Sequence, residues 1–373
     1  MGFKLSIFLT FIMATGTLAV FAHELDWLVT PAMRVVPSDA PQASWGVIAR
    51  AAQEAAPDAR LTTIFAPIDP WFAVEAWVDP GKGAPRRIYV DPWTGRVTGQ
   101  HGWANVHRFL RQVHRHLMLP TKVGVPIVSA LALLLAASLV TGIVTYKKWW
   151  RGFFRRPHAG SARRLTGNLH RLIGLWSLGF VALISLTGIW YLVEALGGGA
   201  PVEQPPEVAA SPPATGDALD RLVVVAQRAK PGLDIREIRF PPEHGVVMLG
   251  QDRAWLVRDR VNGVAIDPAD ARVTMVSDGA DLTVHQRISE MADPLHFGTF
   301  GGLTTKVVWF VFGGLMTALS VTGTMIYALR LKQAEGGGSL ALAWRGMGGW
   351  RWIGLAAVLV ALALTPVAIG GAS

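Results

Sequence analysis

The stretch VHRHLMLPTKVGVPIVSALALLLAASLVTGIVTYKKWW, residues 113–150, decides what kind of protein this chain makes. A basic, histidine-rich lead-in precedes an uncharged run from Val123 to Tyr146. That run is longer than the roughly 20 apolar residues needed to cross a hydrocarbon core of about 30 Å. Lys147, Lys148, Trp149, Trp150 and Arg151 then supply the basic and aromatic band expected at a cytoplasmic membrane surface. Residues 295–332, LHFGTFGGLTTKVVWFVFGGLMTALSVTGTMIYALRLK, repeat the design. His114 precedes Thr141, the first residue of a Thr-Gly pair, by 27 positions, and His296 precedes Thr322 by 26. Two spacings this close point to an internal duplication.

Composition agrees with a membrane protein that carries soluble parts: 51% of the 373 residues are hydrophobic and only 16% charged. Much of the formal net charge of +9 sits in KKWWRGFFRRPHAGSARRLTGNLHR, residues 147–171, between two apolar runs. There the positive-inside rule accounts for it, and no nucleic-acid partner is needed. The chain has no cysteine, which excludes disulfides, thiol catalysis, zinc–thiolate sites, cysteine-held iron–sulfur clusters and covalent c-type haem. It also lacks a dinucleotide or Walker glycine loop, a His-Glu-x-x-His zinc motif and a Gly-x-Ser-x-Gly elbow, so hydrolysis is not supported.

The spacing predicts a membrane helical bundle of about five spans, four of them a duplicated core, with two α+β domains outside the membrane. Residues 1–22 form the first span; a signal peptide cleaved after Ala22 is the alternative, but the length and the internal Thr15-Gly16 favour a retained helix. Residues 23–122 hold the first domain and the histidine-rich lead-in. ASWGVIARAAQEA reads as a helix capped by Ser44, followed by strand-like RLTTIFAP, WFAVEAWVD, PRRIYVD and TGRVTG between Asp-Pro turns. The second span is 123–146, the basic loop 147–170, and the third span 171–193, preceded by His170 and containing Thr187-Gly188. Residues 194–306 comprise a Gly/Pro-rich linker and a second domain: a helix, DALDRLVVVAQRAK, then LDIREIRF, GVVMLG, RAWLVRD, GVAIDP and ARVTMV as strand-like pieces. A fourth span at 307–329, a loop at 330–349 and an appended fifth span at 350–370 complete the chain. The basic loops place 147–170 and 330–349 in the cytoplasm and both domains on the other side. Aligning Thr15 with Thr187 sets Gly2 opposite Gly174 and Phe3 opposite Leu175. The equivalent of His170 then falls at position −2, so a start further upstream, with a histidine there, is expected.

These residues together resemble the PepSY-associated transmembrane helix family of bacterial inner-membrane proteins. The matching segments are VHRHLMLP, GNLHRLIGLWSLGFVALISLTG, ADPLHFGTFGGLTTKVVWFVFGGLMTALSVTG, and the domain endings YVDPWTGRVTG and AIDPADARVTMV. The resemblance covers most of the chain and leaves the fifth helix outside. Some relatives are similar to ferric-siderophore reductases, iron-regulated membrane proteins with b-type haem between four helices. It therefore implies haem b, one or two groups, with His114 and His296 as a symmetric pair of iron ligands at the outer ends of the second and fourth spans. His170 would contribute to an inner haem. It further implies a multi-pass inner-membrane protein in contact with the lipid bilayer, its PepSY-like domains periplasmic. Such an oxidoreductase would take electrons from the quinone pool or a cytoplasmic reductase and reduce an acceptor such as a ferric siderophore.

A blander reading stands beside each assignment. Histidines in basic interfacial sequence contact lipid headgroups, and Arg111, Arg115 and Lys122 are generic interfacial cations as readily as propionate partners. His107 lies two helical turns before His114 and is a candidate supporting residue; His116, His158, His244 and His285 read as ordinary. Thr-Gly pairs let helices approach closely, whatever else they do. The competing function is a non-redox, membrane-anchored PepSY module that binds or restrains a periplasmic protein. A coupled transporter is disfavoured because no span holds an acidic residue at its centre.

Overall fold

A computed structural model describes residues 4–154, 156–157, 160–336 and 338–370. Gly2 and Phe3, used to align the first and third spans, and His158 lie outside the described residues. The chain divides into two compact units: Met1–Ala22, His107–Gly199 and Leu295–Ala368 make a helical unit, and His23–Val106 with Ala200–Pro294 and Ile369–Ser373 a sheet unit. In chain order the helices are α1 (Ser6–Ala19), α2 (Ala22–Val29), α3 (Trp45–Glu54), α4 (Val106–His116), α5 (Thr121–Ser129), α6 (Leu131–Thr145), α7 (Ala162–Trp176) and α8 (Leu178–Val193). Then come α9 (Gly216–Ala229), α10 (Val284–Phe297), α11 (Gly302–Glu335), α12 (Ser339–Gly346) and α13 (Trp350–Gly370). The strands are β1 (Arg60–Phe65), β2 (Val74–Asp79), β3 (Arg86–Val90), β4 (Val97–His101), β5 (Asp234–Arg239), β6 (Val246–Gln251), β7 (Asn262–Asp267) and β8 (Arg272–Ser277).

Among the described residues, four helical stretches are long and apolar enough to span a membrane: Thr121–Thr145, Leu178–Gly198, Thr299–Ala334 and Trp350–Ala368. A fifth is the pair Ser6–Ala19 and Ala22–Val29, bent by 65° at its break. With 14 residues α1 alone is about 21 Å long, short of a bilayer core, so only the bent pair reaches spanning length. The third span differs from its sequence reading in a way that matters for the site. His170 does not precede the helix; it lies well inside α7, and the helix breaks at Ser177 before α8. The fourth runs as one helix of 34 residues, well past both ends of the apolar stretch.

Small and hydroxylated side chains bring the helices of this unit together. Thr10 meets Ser320 at 2.7 Å and Thr17 meets Thr317 at 3.3 Å, which sets α1 antiparallel to α11. A Cβ placed on Gly188 of α8 would stand 2.8 Å from the Ala132 methyl of α6. Such contacts replace the hydrophobic driving force that is missing between helices in lipid.

In the sheet unit, the two domains expected from sequence are one. All eight strands form a single antiparallel sheet in the order β4-β3-β2-β1-β5-β6-β7-β8. Each half is a meander, and the halves join where β1 pairs with β5 through Thr63 with Arg239, Ile64 with Ile238 and Phe65 with Glu237. Alone, each half would leave that strand with an unpaired edge, and pairing them covers both edges at once. Helices α3 and α9 lie on one face over a shared core that includes Ile48, Ala52, Leu61, Ile64, Leu219, Ile238, Met248 and Ile266. Ser44 caps α3 as expected, accepting from the Val47 amide at 3.3 Å, and Asp220 of α9 adds a second cap, accepting from the Gly46 amide at 2.8 Å. Gly46 is required there, since a Cβ would fall 2.1 Å from the Gly216 carbonyl oxygen.

One strand-like segment, RAWLVRD, is not a strand. Leu256 takes a left-handed φ of +57°, which an extended ladder cannot accommodate, and the segment ends in a short turn of 3-10 helix, Asp259–Val261. Its arginines serve another purpose: Arg258 and Arg260 both donate to the buried carboxylate of Glu290, at 2.7 Å in each case, and Arg258 also reaches Asp293. Lys230 forms a second buried centre, donating to Asp278 at 2.6 Å and paired with Asp252 at 3.0 Å. Burial works against its ammonium, but the hydrogen bonds to the two carboxylates outweigh it and hold the Lys230 pKa above its ordinary value. The same bonds from Lys230 hold Asp252 and Asp278 below the usual carboxylate range.

Candidate functional site

Three histidines of the helical unit are anchored in one chemical manner. His114, near the end of α4, places Nδ1 3.0 Å from the Ile12 carbonyl oxygen of α1. A carbonyl only accepts, so Nδ1 carries the proton and donates it. His296, near the end of α10, has Nδ1 2.8 Å from Thr187 Oγ1 of α8. The single hydroxyl proton of Thr187 is given to the Leu183 carbonyl at 2.9 Å, so the hydroxyl oxygen accepts from the imidazole. His170 of α7 repeats this with Thr322 Oγ1 of α11, also at 2.8 Å, while Thr322 donates to the Ala318 carbonyl at 2.7 Å. All three rings are thereby held through Nδ1–H, and in the neutral form of a ring so held Nε2 carries the lone pair. That is the arrangement of a metal-ligating histidine whose other nitrogen is held by a backbone or side-chain acceptor.

His114 and His296 face one another. Their ring centroids are 6.4 Å apart and their planes inclined by 37°. Two metal–imidazole bonds of about 2 Å each, plus the distance from ring nitrogen to ring centre on both sides, come to roughly 6 Å. The separation and the donor set both fit a single metal ion shared by the two rings, as in a bis-histidine haem. Room for His114 comes from Gly16, where a Cβ would lie 2.5 Å from the ring carbon Cε1. Tyr191 packs edge-on against His296 with centroids 5.2 Å apart.

The chain reverses sharply after each of these two histidines. Beyond His296 a glycine, Gly298, adopts the left-handed φ of +69°. Beyond His114 the same region is taken by Leu117 and Met118, at φ of +57° and +59°. Bulky residues reach that conformation at a cost of order 1–3 kcal/mol each, so the surrounding packing enforces the turn. Both side chains are buried.

His170 stands apart from the pair. Thr17, beside Gly16, meets Thr317, whereas His170 meets Thr322, five residues or about 7.5 Å further along α11. It lines a cavity of about 630 Å³ whose wall also includes Met13, Gly142, Tyr146, Arg171 and Met316. Among the described residues no cluster of three or more histidine and acidic side chains suited to a metal ion is present. The cavity offers one imidazole, that of His170, while His114 and His296 are the two histidines that stand together. His107 lies on α4 two turns before His114, His116 packs its carbonyl against Gly124, and His244 and His285 belong to the sheet unit.

The threonines were the residues that sequence reasoning undervalued. Three of the four Thr-Gly pairs within the apolar spans serve a histidine: Gly16 beneath His114, Thr187 with His296, and Thr322 with His170, where a Cβ on Gly323 would lie 3.5 Å from the same ring. Their recurrence was visible, but close helix packing explained it equally well. The fourth pair has no histidine among the described residues; Thr141 bonds back to Ala137, and Gly142 lines the cavity. The Ile12 carbonyl left no mark in the sequence at all.

Apolar helices of spanning length joined to a sheet unit define a multi-pass membrane protein. The family description "PepSY-associated TM region" matches residues 1–330, and the chain belongs to that family. No curated protein matches the chain.

Proposed function

We propose that this protein is a b-type haem carrier of the bacterial inner membrane that passes electrons to an acceptor on the periplasmic side, with ferric iron in a siderophore as the favoured acceptor. The observation that carries the reading is the His114–His296 pair, two imidazoles locked as Nδ1–H tautomers with ring centres 6.4 Å apart. An interfacial histidine that only greets lipid headgroups needs no such partner. Bound between the two rings, a haem iron would supply reversible one-electron chemistry.

The chain's own residues would do the remaining work. His114 and His296 hold the iron from two sides, while the Ile12 carbonyl and Thr187 keep the Nδ1 protons in place and set the ring orientation. Gly16 leaves the space that the His114 ring occupies. His170, held by Thr322, provides one ligand to an inner group facing the cavity. The basic residues of the 147–171 loop set that loop in the cytoplasm and the sheet unit in the periplasm.

The test is a visible spectrum of the detergent-purified protein, oxidised and dithionite-reduced, with a pyridine haemochrome count. A low-spin b-type spectrum that disappears in His114→Ala and in His296→Ala is expected, and His170→Ala should remove no more than an inner haem. Protein that carries no haem when made in haem-replete cells would sink the redox reading and leave the sheet unit as the functional part.

A further inference from the structure

Resting on the haem reading given above, we propose that Trp309 of α11 is the positioning residue of His296: it holds the backbone on both sides of that histidine and so sets where the imidazole stands. A tryptophan in an apolar helix usually marks the membrane–water interface, where its N–H stays wet. Trp309 spends its N–H otherwise. Nε1 donates to the Leu295 carbonyl at 2.8 Å, one residue before His296. Leu295 lies in the last turn of α10, where a carbonyl finds no donor further along its own helix. The indole supplies the missing one.

On the other side of His296 the same ring meets Gly298. A Cβ there would lie 2.5 Å from Trp309 Cγ and 2.7 Å from Cδ2. Gly298 is thus required twice, for its left-handed φ of +69° and for the indole packed on it. Phe300 and Phe180 stand edge-on to that indole, with centroids 5.2 and 5.5 Å away, and fix its plane. Thr305 closes the turn, donating to the Gly298 carbonyl and accepting from the Gly301 amide at 3.1 Å. The segment that carries His296 is therefore tied to α11 at Leu295, Gly298 and Gly301. Thr187 of α8 orients the ring, while Trp309 fixes the chain that bears it. The turn after His114 is held differently, by the burial of Leu117 and Met118, so a change at Trp309 should reach one ring of the pair and spare the other.

The test compares Trp309→Phe, which keeps a ring and loses the donor, with Trp309→Leu, which loses both, in the full-length protein. The first reading is the rate at which carbon monoxide binds the reduced haem, in a His170→Ala background that takes away any inner group. Carbon monoxide enters only when a histidine leaves the iron. We expect the rate to rise about 10-fold in Trp309→Phe and about 100-fold in Trp309→Leu, the range expected when the support behind a ligating histidine is lost. With His296→Ala and added imidazole, neither change should have a further effect, because a free ligand needs no positioning. The second reading needs no haem: carbethoxylation of His296 in stripped protein, followed by peptide mass spectrometry, should quicken in the same order while His170 keeps its rate. Rates at His296 that stay at the wild-type value in either reading would overturn the proposal, as would effects that persist in His296→Ala. Equal acceleration at His170 would overturn it too, since that means a general loosening of the helices. Protein that never carries haem removes the redox reading, and carbethoxylation then decides on Trp309 by itself. Trp309→Phe keeps most of the packing volume, so the comparison with wild type stands if Trp309→Leu fails to fold.

Discussion

In the sheet unit, buried polar groups are full charges matched by opposite charges: Lys230 between Asp252 and Asp278, Glu290 between Arg258 and Arg260, and Arg87 against Glu75 at 2.9 Å. At the histidine site of the helical unit, they are imidazoles and hydroxyls handed on to carbonyls within the helices. Net charge divides the same way. The sheet unit holds 17 Lys and Arg against 24 Asp and Glu, the helical unit 18 against 2. A matched pair of charges gives shape and leaves little chemistry over. A neutral ring fixed through Nδ1 keeps a lone pair for coordination. The proposed haem site thus lies in the unit with fewer charged pairs, and the pH-sensitive ion pairs in the other.

Substitutions that separate these two roles should act on one unit and spare the other. The largest effect is expected from Gly16→Leu, whose Cβ alone would meet His114 Cε1 at 2.5 Å. Haem occupancy should be lost entirely, read from the visible spectrum, while thermal unfolding of the sheet unit is unchanged. Loss of both would mean that Gly16 serves helix packing instead. Glu290→Ala strips two arginines of a buried partner and should destabilise the sheet unit by about 3–5 kcal/mol in urea titrations. A shift below 1 kcal/mol would show that water already screens the cluster.

A smaller, site-specific change follows at Thr187. Thr187→Val removes the acceptor for His296 Nδ1 and should weaken haem binding about 10–100-fold, with Thr187→Ser restoring it. Equal binding in all three proteins would end the tautomer argument. The mildest signature is a pH profile. Asp252 and Asp278 have lowered folded pKa values, so their contribution is present above the unfolded value of about 3.9 and fades as pH falls through the lower folded ones. Lys230 has a raised value, so its contribution is complete below about pH 10.4 and fades as pH rises through the higher folded one. Lys230→Met should flatten the stability curve at both ends, measured by denaturant midpoints across pH.

Much of this arrangement was legible in the sequence because membrane spans and amphipathic strands announce themselves by local pattern. The span at 123–146, the strands RLTTIFAP and GVVMLG, and the Ser44 cap fall close to where periodicity and capping chemistry place them. What was hidden depends on contacts between distant residues. The β1–β5 pairing joins residues more than 170 positions apart, and no local feature of either strand says that the neighbour is the other half. RAWLVRD has a strand's composition, but its arginines are committed to Glu290 further along the chain. At the site, His114, His296 and His170 stood out as residue types, whereas their partners did not. Threonine in a membrane helix usually satisfies itself by bonding back to its own carbonyls, and only the position of an imidazole beside it reveals the second bond.

The central claim is that His114 and His296 share one iron, and the most direct measurement is the low-temperature EPR spectrum of the oxidised, detergent-purified protein. The account predicts a low-spin ferric signal of bis-imidazole type, converted to high spin by His114→Ala or by His296→Ala alone, and returned to low spin by added imidazole. A low-spin signal that survives both substitutions, or no ferric haem signal in protein from haem-replete cells, would contradict it.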